Sequence, residues 1–144
     1  MLLIAIAFQF NPIEVNPMAN EKLFQLTEED KEKYRKLINS IDLKTQKIII
    51  NIAVQKIREI VKNNINEVEA QLVKDIMQLI GLIETFPGLT DHMKQRIIFA
   101  LTYFCDENDE IPDFIPDIGY LDDASVAQWI VNGILLELPP PTKA

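Results

Sequence analysis

A chain of 144 residues, 48% hydrophobic and 25% charged, has the make-up of one globular domain long enough to bury a continuous core. Its net charge of −8 repels phosphates, which argues against unaided nucleic-acid binding and against simple electrostatic docking on an anionic membrane. One cysteine, Cys105, and one histidine, His92, exclude an internal disulfide and leave a poor ligand set for zinc.

The chain opens on "MLLIAIAF", eight apolar residues where a membrane span needs roughly 20. The stretch also lacks the basic flank and small-residue cleavage site of a signal peptide. Met18-Ala19-Asn20 reads as a second start. Residues 1–17 are therefore expected to be an upstream extension, or an apolar arm that packs on the domain or a partner. "NPIEVNP" (Asn11–Pro17) breaks regular structure with two Asn-Pro turns. Residues 1–26 thus read as arm and linker, 27–138 as the helical domain, and 139–144 as a Pro-rich tail.

The first helix is expected to start at Thr27. Thr27 is a good N-cap, Asp30 sits at the third helical position, and Glu28 and Glu29 suit the positive helix end. Tyr34, Leu37, Ile38 and Ile41 then share one face. Asp42 can cap a second helix, from Leu43 to about Asn63. Its inward stripe is Ile50, Ala53, Val54, Ile57, Ile60 and Val61, with Lys56, Arg58, Glu59 and Lys62 on the other face. "KIIINIAV" is rich in β-branched residues, but the 3.6-residue period runs on through Val61, so the segment is read as helix.

Asn66 caps a third helix that ends near Thr85, with Leu72, Val73, Ile76, Leu79, Ile80 and Ile83 in period. From Ile76 to Phe86 it is apolar nearly all round, which predicts a central, buried helix. Phe86-Pro87-Gly88 ends it. Thr90 caps a fourth helix that faces Met93, Ile97, Ile98, Leu101 and Phe104 inward. Asp122 or Asp123 opens a fifth, with Val126, Trp129, Ile130 and Ile134 inward. The fold class is all-α: one compact domain of about five helices, the last two forming a hairpin around a Pro-rich acidic loop.

That loop, "ENDEIPDFIPDIGYLDD" (Glu107–Asp123), holds seven acidic residues and no basic one. Pro112 and Pro116 push the residues before them out of helical angles and force a stepped turn. Ile111, Phe114, Ile115 and Ile118 are apolar enough to plug the end of the core. Gly119 allows a tight turn before Tyr120 and the next helix. Asp122 and Asp123 then match a helix start, where a carboxylate accepts backbone N–H bonds.

"D-E-I-P-D-F-I-P-D-I-G-Y-L-D-D" resembles the signature of the YkvA-like domain family, a family of unknown function. Asp109, Pro112, Asp113, Pro116, Gly119, Asp122 and Asp123 fall on its pattern, while Asp106-Glu107 stand where the family has Ser-Pro. The resemblance covers roughly Asp106–Ile134 and implies a helical hairpin over about 95–136. It implies no established activity.

Two chemistries compete for the acidic residues. Asp109, Asp113, Asp117, Asp122 and Asp123 could converge on Mg²⁺ or Ca²⁺, which prefer oxygen ligands, although the spacing is not that of an EF-hand. Alternatively they are capping aspartates and solvated side chains. General acid–base work would require one carboxyl to be buried with a raised pKa. No Gly-rich phosphate loop or His-Glu zinc motif occurs. His92 is expected to face solvent. Cys105 sits beside Asp106 and Glu107, whose charge should raise its pKa. Trp129 is read as packing, and "KEKYRK" (Lys31–Lys36) as a solvated face with local ion pairs.

The best-supported role is a cytoplasmic, non-enzymatic protein-interaction or scaffolding module, with a protein partner or self-association. A stripe left exposed after folding would be its interface. The alternatives are a divalent-cation domain using the acidic loop 106–123, with or without hydrolytic activity, and peripheral membrane contact through residues 1–8.

Overall fold

The computed structural model describes residues 25–106 and 120–138. Among them are five α-helices and one 3-10 turn, with no strand: α1 (Glu28–Asn39), the turn Leu43–Thr45, α2 (Gln46–Val61), α3 (Glu67–Thr85), α4 (Asp91–Cys105) and α5 (Leu121–Glu137). The all-α expectation holds. Residues 1–24, 107–119 and 139–144, and with them the expected arm, most of the acidic loop and the tail, lie outside the described residues.

Local chemistry sets most helix starts. Thr27 and Asp30 form a reciprocal capping box on α1, and Asn66 and Glu69 form another on α3. The Thr90 hydroxyl accepts from the Met93 N–H at the start of α4. Asp42 behaves differently. Its carboxylate accepts from the Lys44 N–H and starts the 3-10 turn Leu43–Thr45, so α2 itself begins only at Gln46. Thr45, at the α2 N-cap, makes no side-chain cap hydrogen bond.

The central helix is α4, not α3. It packs against α1, α2, α3, α5 and the 3-10 turn. An unbroken run, Ile97 through Leu101, is buried on it, because helices cover it on all sides. The apolar run of α3 is one-sided by comparison: Leu72, Val73, Ile76, Leu79 and Ile83 are buried, while Met77 is 57% exposed. On α1 only Tyr34 and Ile38 are buried, and Leu37, expected inward, is exposed. On α2, Ile50, Ala53 and Ile60 are buried, whereas Val61, in the last turn, is exposed. Gln95 of α4 donates to the Ile41 carbonyl at 3.1 Å and ties the α1–α2 connection to the centre. α4 and α5 pack on each other as the expected hairpin. Arg96 of α4 reaches Glu137 at the end of α5 at 2.5 Å and passes beside Gly133, where a Cβ would lie 3.4 Å from its Nη1.

Candidate functional site

Two places on this frame gather side chains that the packing of single helices does not explain. They are the base of the acidic loop and the outward face of α2.

At the loop base, α5 begins with Leu121, and its N-cap residue Tyr120 makes no side-chain cap bond. Asp122 and Asp123 occupy the first turn, but neither is a solvated cap. Their exposures are 0% and 1%. The Tyr103 hydroxyl of α4 donates to Asp122 Oδ2 at 3.1 Å, and the Tyr34 hydroxyl of α1 lies 3.5 Å from the Tyr103 oxygen. Tyr34 also packs on Phe99, Tyr103 and Trp129, with ring centroids 5.4, 5.7 and 6.2 Å away. Trp129 is half-buried at the edge of this group, with the Arg35 guanidinium 5.8 Å from its ring. The Asp122 carboxyl is therefore held under an aromatic roof built by α1 and α4. Asp at a helix start usually serves the backbone or faces water; here both side chains are buried, and Asp122 accepts from a tyrosine of another helix.

Beside this roof, Lys56 turns away from the solvent-facing side on which its spacing placed it. Its ammonium donates to the Phe104 carbonyl at 2.6 Å, near the C-terminus of α4, and lies 5.0 and 5.5 Å from the Phe104 and Tyr120 rings. A cation there offsets the negative end of the α4 dipole. Cys105 is half-buried, and burial pushes its thiol up to about 11, with Lys56 pulling the other way. The expected direction is right but the cause is different: desolvation, rather than the neighbouring carboxylates, leads.

Asp109, Asp113, Asp117, Pro112, Phe114, Pro116 and Gly119 lie outside the described residues. Of the acidic candidates, the described residues include Asp122 and Asp123, consecutive in the first turn of α5 and both buried; of the expected loop framework they include Tyr120. Among the described residues no group of three or more His, Cys, Asp and Glu side chains is placed to hold a metal ion. His92 is exposed, as expected. The 31–36 run carries the local ion pairs Lys31–Glu28 at 3.6 Å and Arg35–Glu32 at 3.2 Å.

One carboxyl that the sequence did not single out is buried elsewhere. Asp75 of α3 is 6% exposed and accepts from Gln71 Nε2 at 3.0 Å. Burial raises its pKa to about 6, against the lowering by Gln71 and Lys74. Its position, one residue before the buried Ile76, was the available signal.

The second place is α2. Ile48 and Ile52, one turn apart, are 65% and 47% exposed and point away from the core. Exposed Lys44, Lys47, Arg58 and Lys62 stand along the same element and its 3-10 lead-in. A shallow, open depression of about 360 Å³ lies between the start of α2 and Glu84 of α3, lined also by Lys44, Gln46, Lys47, Ile50 and Asn51. Such a hollow does not enclose a small molecule in the way ligand pockets do. Among the described residues no helix is long and apolar enough to cross a membrane.

Comparison with curated proteins and with solved structures found no match. A family model described as "Protein of unknown function (DUF1232)" matches residues 94–129, from the second turn of α4 to the middle of α5, and so takes in Tyr103, Cys105, the acidic loop, Asp122 and Asp123.

Proposed function

We propose that this chain is a non-enzymatic helical module that binds another protein through the outward face of α2. The observation that carries the reading is the pair Ile48 and Ile52, two large β-branched side chains left in solvent on adjacent turns. Single exposed apolar residues are ordinary; a paired ridge on a helix that already has its core stripe filled is the kind of surface a partner covers. The α4–α5 hairpin, with Asp122 bonded to Tyr103, serves as the scaffold that presents α2. Consistent with this, we assign Asp109–Asp123 to the YkvA-like pattern on its doubled proline, glycine and Asp-Asp spacing, supported by the match over 94–129. We place the protein in the cytoplasm, which fits its single half-buried thiol.

The test is a photo-crosslinking amino acid placed at position 48 in the full chain in its native cell, with exposed position 128 as the control. A discrete adduct from 48 and none from 128 is expected. No adduct from 48 sinks the reading.

A divalent-cation function is the second reading. It is favoured by the burial of the consecutive residues Asp122 and Asp123 at the start of α5, where a cation would offset the cost of taking a carboxylate out of water. An ion present at about 100-fold its dissociation constant adds about 2.7 kcal/mol, roughly 5–10 °C for this length. Melts with chelator, then Mg²⁺, Mn²⁺ and Ca²⁺, should show that shift, and Asp123→Asn should abolish it. Identical melts in all conditions remove the reading.

A further inference from the structure

We propose that the outward face of α2 docks an acidic amphipathic helix belonging to a different protein. This rests on the interaction-module reading and names the chemistry of the partner.

Shape comes first. Ile48 and Ile52 are related by i, i+4, the row of side chains that forms the ridge seated between side chains of a facing helix in the commonest packing class. α2 has 16 residues, about 24 Å at 1.5 Å per residue, enough for several turns of contact. The face is a convex ridge rather than a slot, which suits a helix lying alongside it better than an extended peptide.

Charge then selects the partner. Residues 43–62 hold five of the fourteen Lys and Arg residues but only one of the twenty-two Asp and Glu residues, a local +4 on a chain of −8. One of the five, Lys56, is turned toward Phe104; Lys44, Lys47, Arg58 and Lys62 are exposed. The sole acid, Glu59, pairs with Lys62 at 3.4 Å. The first turn of α2 has no acidic residue and its N-cap makes no side-chain bond, so the positive end of the helix adds to the lysines, with Asp42 on the Lys44 N–H and Glu84 across the depression as the carboxylates beside them. A cationic strip on an otherwise acidic protein steers acidic surfaces to that one face and repels others.

The same charge decides against two other occupants. With Lys56 turned inward, the exposed charges of 43–62 sum to +3, so a second copy packing α2 against α2 would set +3 opposite +3. An anionic membrane would gain only two isoleucines of insertion while approaching a chain whose remaining residues sum to −12.

The experiment uses the full chain and two synthetic helical peptides of about three heptads, identical in their leucine seam but flanked by Glu in one and Lys in the other. Isoleucine-methyl NMR reads the site. The acidic peptide should shift the Ile48 and Ile52 methyls, bind at least about tenfold tighter than the basic one, and weaken about tenfold between roughly 0.1 and 0.5 M salt. Lys44→Glu with Lys47→Glu should lose most of that binding while the melting curve stays in place. Equal binding of both peptides, shifts that map away from α2, unchanged binding by Ile48→Asp/Ile52→Asp, or binding to phosphatidylserine vesicles in place of the acidic peptide would each overturn the proposal. The in-cell crosslink separates the two levels. An adduct at position 48 to a partner lacking an acidic helix overturns this inference and leaves the module reading standing. No adduct removes the module reading itself.

Discussion

The Tyr103 hydroxyl donates to Asp122 Oδ2 at 3.1 Å, across the joint between the end of α4 and the start of α5. With Tyr34 of α1 3.5 Å from the Tyr103 oxygen, a chain of hydroxyls from α1 and α4 ends on one buried carboxyl of α5. Removing the donor from a buried acceptor costs more than an average hydrogen bond is worth. Tyr103→Phe should therefore destabilise by about 1–3 kcal/mol, a fall in Tm of roughly 3–10 °C. Tyr34→Phe, which loses the longer contact to the Tyr103 oxygen, should cost less than Tyr103→Phe. Thermal melts of both variants check the order; a larger loss from Tyr34→Phe contradicts it.

Asp75 makes stability depend on pH in an unusual direction. Its pKa is about 6 in the fold against 3.8 ordinarily, because burial disfavours the charged form. Between those values the folded chain holds more of this proton than the unfolded chain does. The contribution is fully present below about pH 4 and is lost as pH rises through about 6. Asp75→Asn should remove this dependence and stabilise the chain at neutral pH by about 1–3 kcal/mol. Urea unfolding of both proteins across that range, read as their difference, is the measurement; a constant difference contradicts the assignment.

Lys56 of α2 reaches the end of α4, whose last residue is Cys105. Lys56→Met keeps the apolar stem but removes the donor to the Phe104 carbonyl, at an expected cost of about 1–2 kcal/mol. The thiol, already pushed up to about 11, should move higher still. Iodoacetamide labelling of Cys105 should be slow near neutrality and rise about tenfold per pH unit in alkali. In the variant that rise should begin at higher pH. Faster labelling of the variant near neutrality would contradict the geometry.

The two isoleucine classes should separate cleanly. Ile48→Asp with Ile52→Asp alters solvent-facing positions and should change stability by no more than about 1 kcal/mol. Ile97→Ala empties a fully buried site on the central helix and should cost about 2–5 kcal/mol. Chemical denaturation compares them directly.

What could be read from the chain ahead of the structure was what short-range chemistry controls. The capping boxes at Thr27 and Asn66 and the cap at Thr90 depend on residues three positions away, so they were legible. The helical period of α2 survived its β-branched composition for the same reason. The spacing of α2 does not reveal the place of Lys56, because its partner, the Phe104 carbonyl, is 48 residues distant. Spacing alone puts Leu37 on the inward face, yet no helix covers that edge of α1 deeply enough to bury it. Composition made α3 the candidate centre, but centrality is a matter of how many elements surround a helix, and that belongs to α4. At the candidate site, the start of α5 near Asp122 was legible and the burial of Asp122 and Asp123 was not, since Tyr103 and Tyr34 come from other helices. The exposed ridge of Ile48 and Ile52 emerged only once the inward stripe of α2 was seen to be filled by Ile50, Ala53 and Ile60.

The most direct test of the central claim is the size of the native protein in a gentle extract of its own cells, compared with Ile48→Asp/Ile52→Asp by size-exclusion chromatography. The wild-type chain should migrate in a complex larger than the monomer, and the double variant, equally folded by circular dichroism, should fall to monomer size. Co-migration of the two proteins, whether both as monomers or both in the same complex, would contradict a partner docked on α2.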